Sequence, residues 1–285
     1  MIPPLDYRIP NTLEEACELL WDLKGEAKLI AGGTDLVVSL RSEDLKPRIL
    51  VDVTKIPELQ GIEEMDRRIS LGAAVTHSEI ASSSLIKEFG KVLSDAASEI
   101  GSPQIRNLGT IGGNLVNASP AADTLPPLMV LEAVGTVVSK EGEKEVPVAR
   151  LFKGPYETGL TPHEILVRIT FPKLSSGMKT SFIRLARREA MAIARMNVAI
   201  VLQMKRDRIE EIRISAGSVT PTPQRMSDAE AVLVGRKPDV DILKSASKKI
   251  SEAMIRWSGV RPSTSYKAPV VEALFLRAFR KALEA

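Results

Sequence analysis

The chain has 285 residues, 44% hydrophobic and 26% charged, with a net charge of +3, a globular composition with enough length for two packed domains. One cysteine and two histidines are too few for an iron–sulfur cluster or a Cys/His zinc site, so redox chemistry requires an organic cofactor or partner chains. No apolar run reaches the ~18 residues of a membrane span, no basic start and apolar core mark a secretion signal, and no aromatic-interleaved basic patch suits nucleic acid; a cytoplasmic protein is expected.

In chain order, Asn11 with Glu14 three residues on reads as a capping box. Leu13, Ala16, Cys17 and Leu20 follow on one helical face, and Gly25 stops the helix. Residues 27–30 form a short strand, 36–40 a short helix or turn, 48–53 a buried strand and 68–76 a strand of small residues. Residues 78–82 and 85–99 are helical in pattern, then a loop runs through Gly101-Ser102-Pro103-Gln104. Residues 123–132 form a helix with prolines near its start, 136–139 and 144–148 a hairpin, and 165–171 a strand ended by Pro172. Beyond residue 175 the pattern changes to antiparallel strands at 180–185, 197–205 and 211–217, then helices at 228–234, 239–257 and 270–284. Charge changes with it: residues 1–174 carry 18 basic and 25 acidic side chains, residues 175–285 carry 21 and 11. The domain boundary is placed at 174/175, and the basic C-terminal part is suited to an anionic partner surface or is a solvated face.

Two glycine pairs carry the chemistry. The first lies in Leu29-Ile30-Ala31-Gly32-Gly33-Thr34-Asp35-Leu36, the second in Gly109-Thr110-Ile111-Gly112-Gly113-Asn114-Leu115. Without a Cβ, glycine adopts positive φ and lets the backbone approach a ligand. Successive N–H groups then make a concavity for phosphate oxygens, to which Thr34, Thr110 and Asn114 add side-chain donors. Either pair alone is more often a tight turn. Neither has the third glycine of a Rossmann site or a Walker lysine, which disfavours a nicotinamide Rossmann domain and a P-loop.

These segments, with Gly72-Ala73-Ala74-Val75-Thr76-His77-Ser78-Glu79-Ile80, the run from Ile100 to Leu115 and Asn117-Ala118-Ser119-Pro120-Ala121-Ala122-Asp123, resemble the medium, FAD-binding subunit of the xanthine dehydrogenase and aerobic carbon monoxide dehydrogenase (molybdenum hydroxylase) family over nearly the whole chain. The resemblance implies an α+β fold of the vanillyl-alcohol-oxidase (PCMH) type: a FAD-binding domain over 1–174, with subdomains of about 1–55 and 56–174, and an antiparallel sheet-and-helix domain over 175–285. It implies FAD contacts from residues 29–36, from Gly109, Thr110, Gly112, Gly113 and Asn114, and from Ile100, Ala118, Asp123 and, at the adenine end, Leu166. It also implies a large molybdenum-binding subunit, a small iron–sulfur subunit and a dimer of such heterotrimers. The chain departs from many relatives in having Ile100 where some have an aromatic residue and Met191 where many have an aspartate.

Other residues read more plainly. His77 is expected to cap a helix as a satisfied structural histidine, Asp123 to be an N-cap, a cofactor contact or both, and Trp21 and Trp257 to be core. Arg184, Arg187 and Arg188 read as a solvated face or, alternatively, a subunit contact. Arg106 is either a surface charge or a neutraliser of a pyrophosphate. No triad, Cys/His pair or carboxylate dyad is evident, so no catalytic side chain is assigned, and no convincing tether exists, so the FAD is non-covalent. The resulting expectation is an electron-transfer flavoprotein subunit. The alternatives are a self-contained FAD-dependent oxidase or reductase of the same fold, and a module that has lost its flavin.

Overall fold

A computed structural model of the protein describes residues 5–42, 44–188 and 190–285. The first lobe contains β1 (Asp6–Arg8), α1 (Leu13–Asp22), β2 (Ala27–Ile30), α2 (Leu36–Arg41) and β3 (Ile49–Asp52). Its three strands are parallel in the order β1-β3-β2. Helix α1 buries Ala16, Cys17 and Leu20. Its cap lies one residue later than the sequence pattern predicts. The Thr12 hydroxyl accepts from the Glu15 N–H at 3.1 Å, and the Glu15 carboxylate accepts from the Asn11 N–H at 2.8 Å. A hydroxyl at position 12 reaches the third helical amide, which Asn11 does not.

The second lobe runs through β4 (Ile62–Met65), β5 (Arg68–Gly72), α3 (His77–Ser82), α4 (Ser84–Phe89), α5 (Lys91–Ser98), α6 (Pro103–Leu108), α7 (Ile111–Val116), α8 (Leu125–Val130), β6 (Val134–Ser139), β7 (Gly142–Pro147), β8 (Phe152–Gly154), β9 (Glu157–Thr158) and β10 (Ile165–Pro172). Five strands form one antiparallel sheet in the order β4-β5-β10-β6-β7. The predicted loop after Gly101 is helical instead. Ser102 caps α6 by accepting from the Ile105 N–H, with Pro103 at the first helical position, where a missing N–H costs nothing. The second glycine pair also lies within a helix, α7.

The third unit is an antiparallel sheet of β11 (Lys179–Leu185), β12 (Met196–Lys205) and β13 (Arg208–Gly217), followed by α9 (Ser227–Leu233), α10 (Val240–Ser258) and α11 (Thr264–Glu284). Both faces of its central strand are covered. Ala199 and Val201, with Phe182 of β11, join the core of the first two lobes. Met196, Val198, Ile200 and Leu202 join the core beneath the C-terminal helices. Burial on two sides explains why β12 is a continuous apolar run rather than an alternating one. Helix α11 starts ahead of Pro269, inside its second turn, rather than after it as expected; the proline forfeits one ladder bond and the following apolar face supplies the packing. Trp21 and Trp257 are 38% and 51% exposed, not core, because each sits at the last turn of its helix. Among the described residues no helix is long and apolar enough to cross a membrane.

Candidate functional site

The turn between β2 and α2 is held against the turn between α6 and α7. A Cβ on Gly32 would fall 1.8 Å from the Leu108 carbonyl oxygen and 2.5 Å from its carbon, so the two backbones touch face to face. Thr34 Oγ1 lies 3.5 Å from the Cβ position of Gly109. Gly33 has φ +68°, a left-handed conformation that costs other residues about 1–2 kcal/mol. Among the described residues, the N–H groups of Gly32, Gly33, Thr34 and Asp35 donate to no group of the chain. Four consecutive unspent donors around a left-handed glycine are an arrangement suited to an anion.

The second glycine pair is built differently. The Thr110 hydroxyl caps α7 by accepting from the Gly113 N–H at 3.1 Å. The N–H of Ile111 goes to Val75 O at 2.9 Å, that of Gly112 to Ala73 O at 2.8 Å, and that of Asn114 to Thr110 O at 3.0 Å. A Cβ on Gly112 would meet the Ala73 Cβ and carbonyl oxygen, each at 2.6 Å. This glycine therefore brings α7 onto the end of β5, and the backbone amides 111–114 are spent inside the chain. What the segment offers a ligand is the Thr110 N–H and the Asn114 side-chain NH2, whose partner oxygen accepts from Thr124 at 2.6 Å. Unspent backbone amides, read into both glycine pairs, run over four residues at the first pair and are limited to Thr110 at the second.

His77 is the first residue of α3, and Thr76 rather than His77 is its cap. The Glu79 carboxylate accepts from the Thr76 N–H at 2.7 Å, and Thr76 Oγ1 accepts from the Glu79 N–H at 3.3 Å. The imidazole is buried beside the second turn, its Cδ2 3.2 Å from the Cβ position of Gly109. Its Nδ1 has no hydrogen-bond partner among the described residues, so the satisfied histidine expected from the sequence is instead an orphan at the junction of the two segments. Burial, and then the Arg106 guanidinium, hold its pKa down at about 4, and the ring is neutral at pH 7. Arg106 itself donates to Ile100 O at 2.8 Å.

Asp123 is neither exposed nor a helix cap, since α8 takes Thr124 as its N-cap. Its carboxylate is buried between domains, accepting from Asn197 Nδ2 at 2.7 Å and from Arg184 at 3.1 Å. Arg184 also donates to Glu99 O at 2.6 Å, and its side chain is only 3% exposed, so the solvated-face reading fails for this arginine. Desolvation raises the Asp123 pKa, against the pull of Asn197 and Arg184. Asn197 Oδ1 in turn accepts from the Gly217 N–H at 3.0 Å. Sequence reading missed Arg184 and Asn197. The available signal was strand alternation, which puts Arg184 on the same face as Phe182, the face turned to the first core.

The remaining expected residues fall around this centre. Ile100 is half-buried, and the next residue, Gly101, accepts from the Met191 N–H at 3.3 Å, which joins the C-terminal domain to that edge. Ala118 is buried with φ +52°, and its carbonyl accepts from the Tyr156 N–H at 2.9 Å. Leu29, Ile30, Ala31 and Leu36 are half-buried at the two ends of the first turn. Leu166 sits at a bulge in β10, where pairing with β6 shifts register between Leu166 and Arg168. The next residue, Val167, accepts at its carbonyl from the Ala73 N–H at 2.8 Å, so this strand is tied to the wall that carries α7.

The assembled groups are donors, a left-handed turn and a buried polar atom without a partner, all of which fit a diphosphate-bridged cofactor. Among the described residues no cluster of His, Cys, Asp and Glu is arranged to hold a metal ion. Residues 3–174 match the family "FAD binding domain in molybdopterin dehydrogenase", and residues 181–282 match the "CO dehydrogenase flavoprotein C-terminal domain". The 6-hydroxypseudooxynicotine dehydrogenase complex subunit alpha of Paenarthrobacter nicotinovorans is 31% identical over 99% of this chain and 95% of its own length. The glyceraldehyde dehydrogenase medium chain of Sulfolobus acidocaldarius is 31% identical over 99% of both. Carbon monoxide dehydrogenase from Hydrogenophaga pseudoflava superposes with a TM-score of 0.94 at 30% identity, covering 100% of this chain and 99% of that one. This chain therefore belongs to the FAD-binding medium subunits of the molybdenum hydroxylase family, which are components of oxidoreductases and take FAD as their cofactor.

Proposed function

We propose that this chain is the electron-transfer subunit of a molybdenum hydroxylase complex. It takes electrons from iron–sulfur clusters of a small partner subunit and passes them to an external acceptor, while a large molybdenum-binding subunit hydroxylates the substrate. The observation that carries this reading is the run of unspent N–H donors from Gly32 to Asp35, pressed onto the backbone of Leu108. These amides bind the diphosphate; the Thr110 N–H and the Asn114 NH2 add donors beside it. FAD, when bound, supplies electron acceptance and release singly or in pairs. Ile100, Ala118, Asp123 and Leu166 are the further cofactor contacts, with Arg184 and Asn197 fixing the Asp123 carboxylate in place.

The division into a FAD-binding domain over 1–174, with subdomains of about 1–55 and 56–174, and a C-terminal domain over 175–285 is part of the same proposal. So are a cytoplasmic location and assembly as a dimer of heterotrimers. Relatives named as medium chains or complex subunits support partner chains. Exposed apolar side chains at Ile105, Leu108, Met191 and Ile193 lie on the segments joined by the Met191–Gly101 bond and suit a covering partner. Co-purification of the tagged chain from its native source tests the reading. It is expected to arrive yellow, with two further polypeptides, molybdenum and iron. Turnover of an oxidisable substrate by the isolated flavin-loaded chain would instead establish a self-contained oxidase or reductase.

A further inference from the structure

A concavity that shares no lining residue with the glycine segments lies between the 120–121 stretch, the end of α10 and the start of α11, with a volume of about 400 Å³. This is within the range of small-ligand sites, roughly 300–1,000 Å³. Its lining includes three cationic side chains, Arg195, Arg261 and Lys267, and no aspartate or glutamate. None of the three makes an ion pair among the described residues; Lys267 Nζ donates to Ser218 O at 2.6 Å and Arg261 Nε to Ser258 O at 2.9 Å. Like charges gathered without a counter-charge repel one another and cost stability. The effect is visible at Lys267, whose ammonium is held below its ordinary pKa by burial and by Arg195 and Arg261.

The surroundings add donors. Ser263 and Thr264, at the start of the 21-residue α11, line the same cavity. That helix has no acidic residue in its first turn and no side-chain cap at Ser263, although acidic residues are favoured at helix starts. The hydroxyls of Ser218 and Thr220 also line the cavity, held in place by donating to Ala194 O at 3.3 Å and Thr222 O at 2.7 Å.

We propose that this cavity binds a phosphate-bearing anion. The planar guanidinium of an arginine pairs with two oxygens of a phosphate at once, Lys267 adds a point charge, and a dianion relieves a repulsion that a single carboxylate would only partly cancel. The site shares no residue with the glycine segments, and the inference stands independently of the flavin reading.

The test is titration calorimetry of the full-length chain, saturated with FAD, against inorganic phosphate, inorganic pyrophosphate and AMP. At least one of the three is expected to bind. Arg261→Gln, at an exposed position, is expected to weaken it roughly tenfold, and Arg261→Gln with Lys267→Gln roughly a hundredfold, with flavin content unchanged in both. Equal binding of phosphate and AMP identifies a simple oxyanion site, whereas preference for AMP identifies a nucleotide; both support the proposal. Failure of all three to bind, or variants that bind as tightly as the unaltered chain, overturns it.

Discussion

Gly32 and Gly112 both leave no room for a Cβ, but against different neighbours. At Gly32 the obstacle is the backbone of a distant turn, and the N–H groups that follow are unspent. At Gly112 the obstacle is Ala73 at the end of β5, and the N–H groups of residues 111–114 are all bonded within the chain. On the proposed reading the first pair shapes a surface for the cofactor, while the second packs a helix onto the end of β5. Two identical dipeptides thus divide recognition from scaffolding, and what separates them is whether a threonine hydroxyl one residue ahead of the helix starts the hydrogen-bond ladder.

Four measurements sharpen or break that division. Gly32→Ala is expected to have the largest effect, because neither of two apposed backbones gives way. We expect loss of more than nine-tenths of the bound flavin, by about tenfold or more in affinity, and about 3 kcal/mol of stability, read from the flavin-to-protein absorbance ratio and from urea unfolding. Near-normal flavin content in a folded variant would remove the basis of the site. Gly112→Ala is expected to cost about 2 kcal/mol through overpacking against Ala73, with the folded fraction retaining flavin better than Gly32→Ala does. The reverse order of flavin loss would mean that the second segment, not the first, holds the diphosphate.

His77 reports on the junction between them. Its folded pKa of about 4 lies below the ordinary value of 6.5, so the neutral ring contributes fully above pH 6.5 and that contribution is lost as pH falls toward 4. Unfolding in urea at pH 7.5 and pH 5 is expected to differ by about 2 kcal/mol from this group, and His77→Phe should remove that difference. A variant with an unchanged pH slope assigns the slope to other groups. The smallest effect is expected for Gly113→Ala. Helix propensity gains about 1 kcal/mol, and crowding of the Thr110 cap, whose oxygen lies 2.9 Å from the new Cβ, loses about as much. Melting should show a net change within about 0.5 kcal/mol, with flavin content unaltered; a large flavin loss would show that a ligand approaches this position closely.

Much of the architecture was legible from local pattern. The strands at 27–30 and 165–171 and the three C-terminal strands follow from apolar runs and alternation, and the change of character near residue 175 is visible in charge alone. Helices α6 and α7 were not legible. Each is a six-residue helix begun by a hydroxyl cap, in a sequence whose glycines and proline signal a turn; α6 is started by its Ser102 cap, and α7 also by Val75 and Ala73, which accept its leading amides. The same holds at Asp123, whose two partners lie on strands 61 and 74 residues further along the chain.

The order of residues by itself supplied two glycine pairs suited to backbone contact with phosphate groups, and it was the resemblance to FAD-binding medium subunits that implied a cofactor there. Only the tertiary structure decided which amides remain free for that contact. A donor's availability depends on whether another part of the chain has already taken it, and that is a property of contacts between distant segments, not of the local sequence.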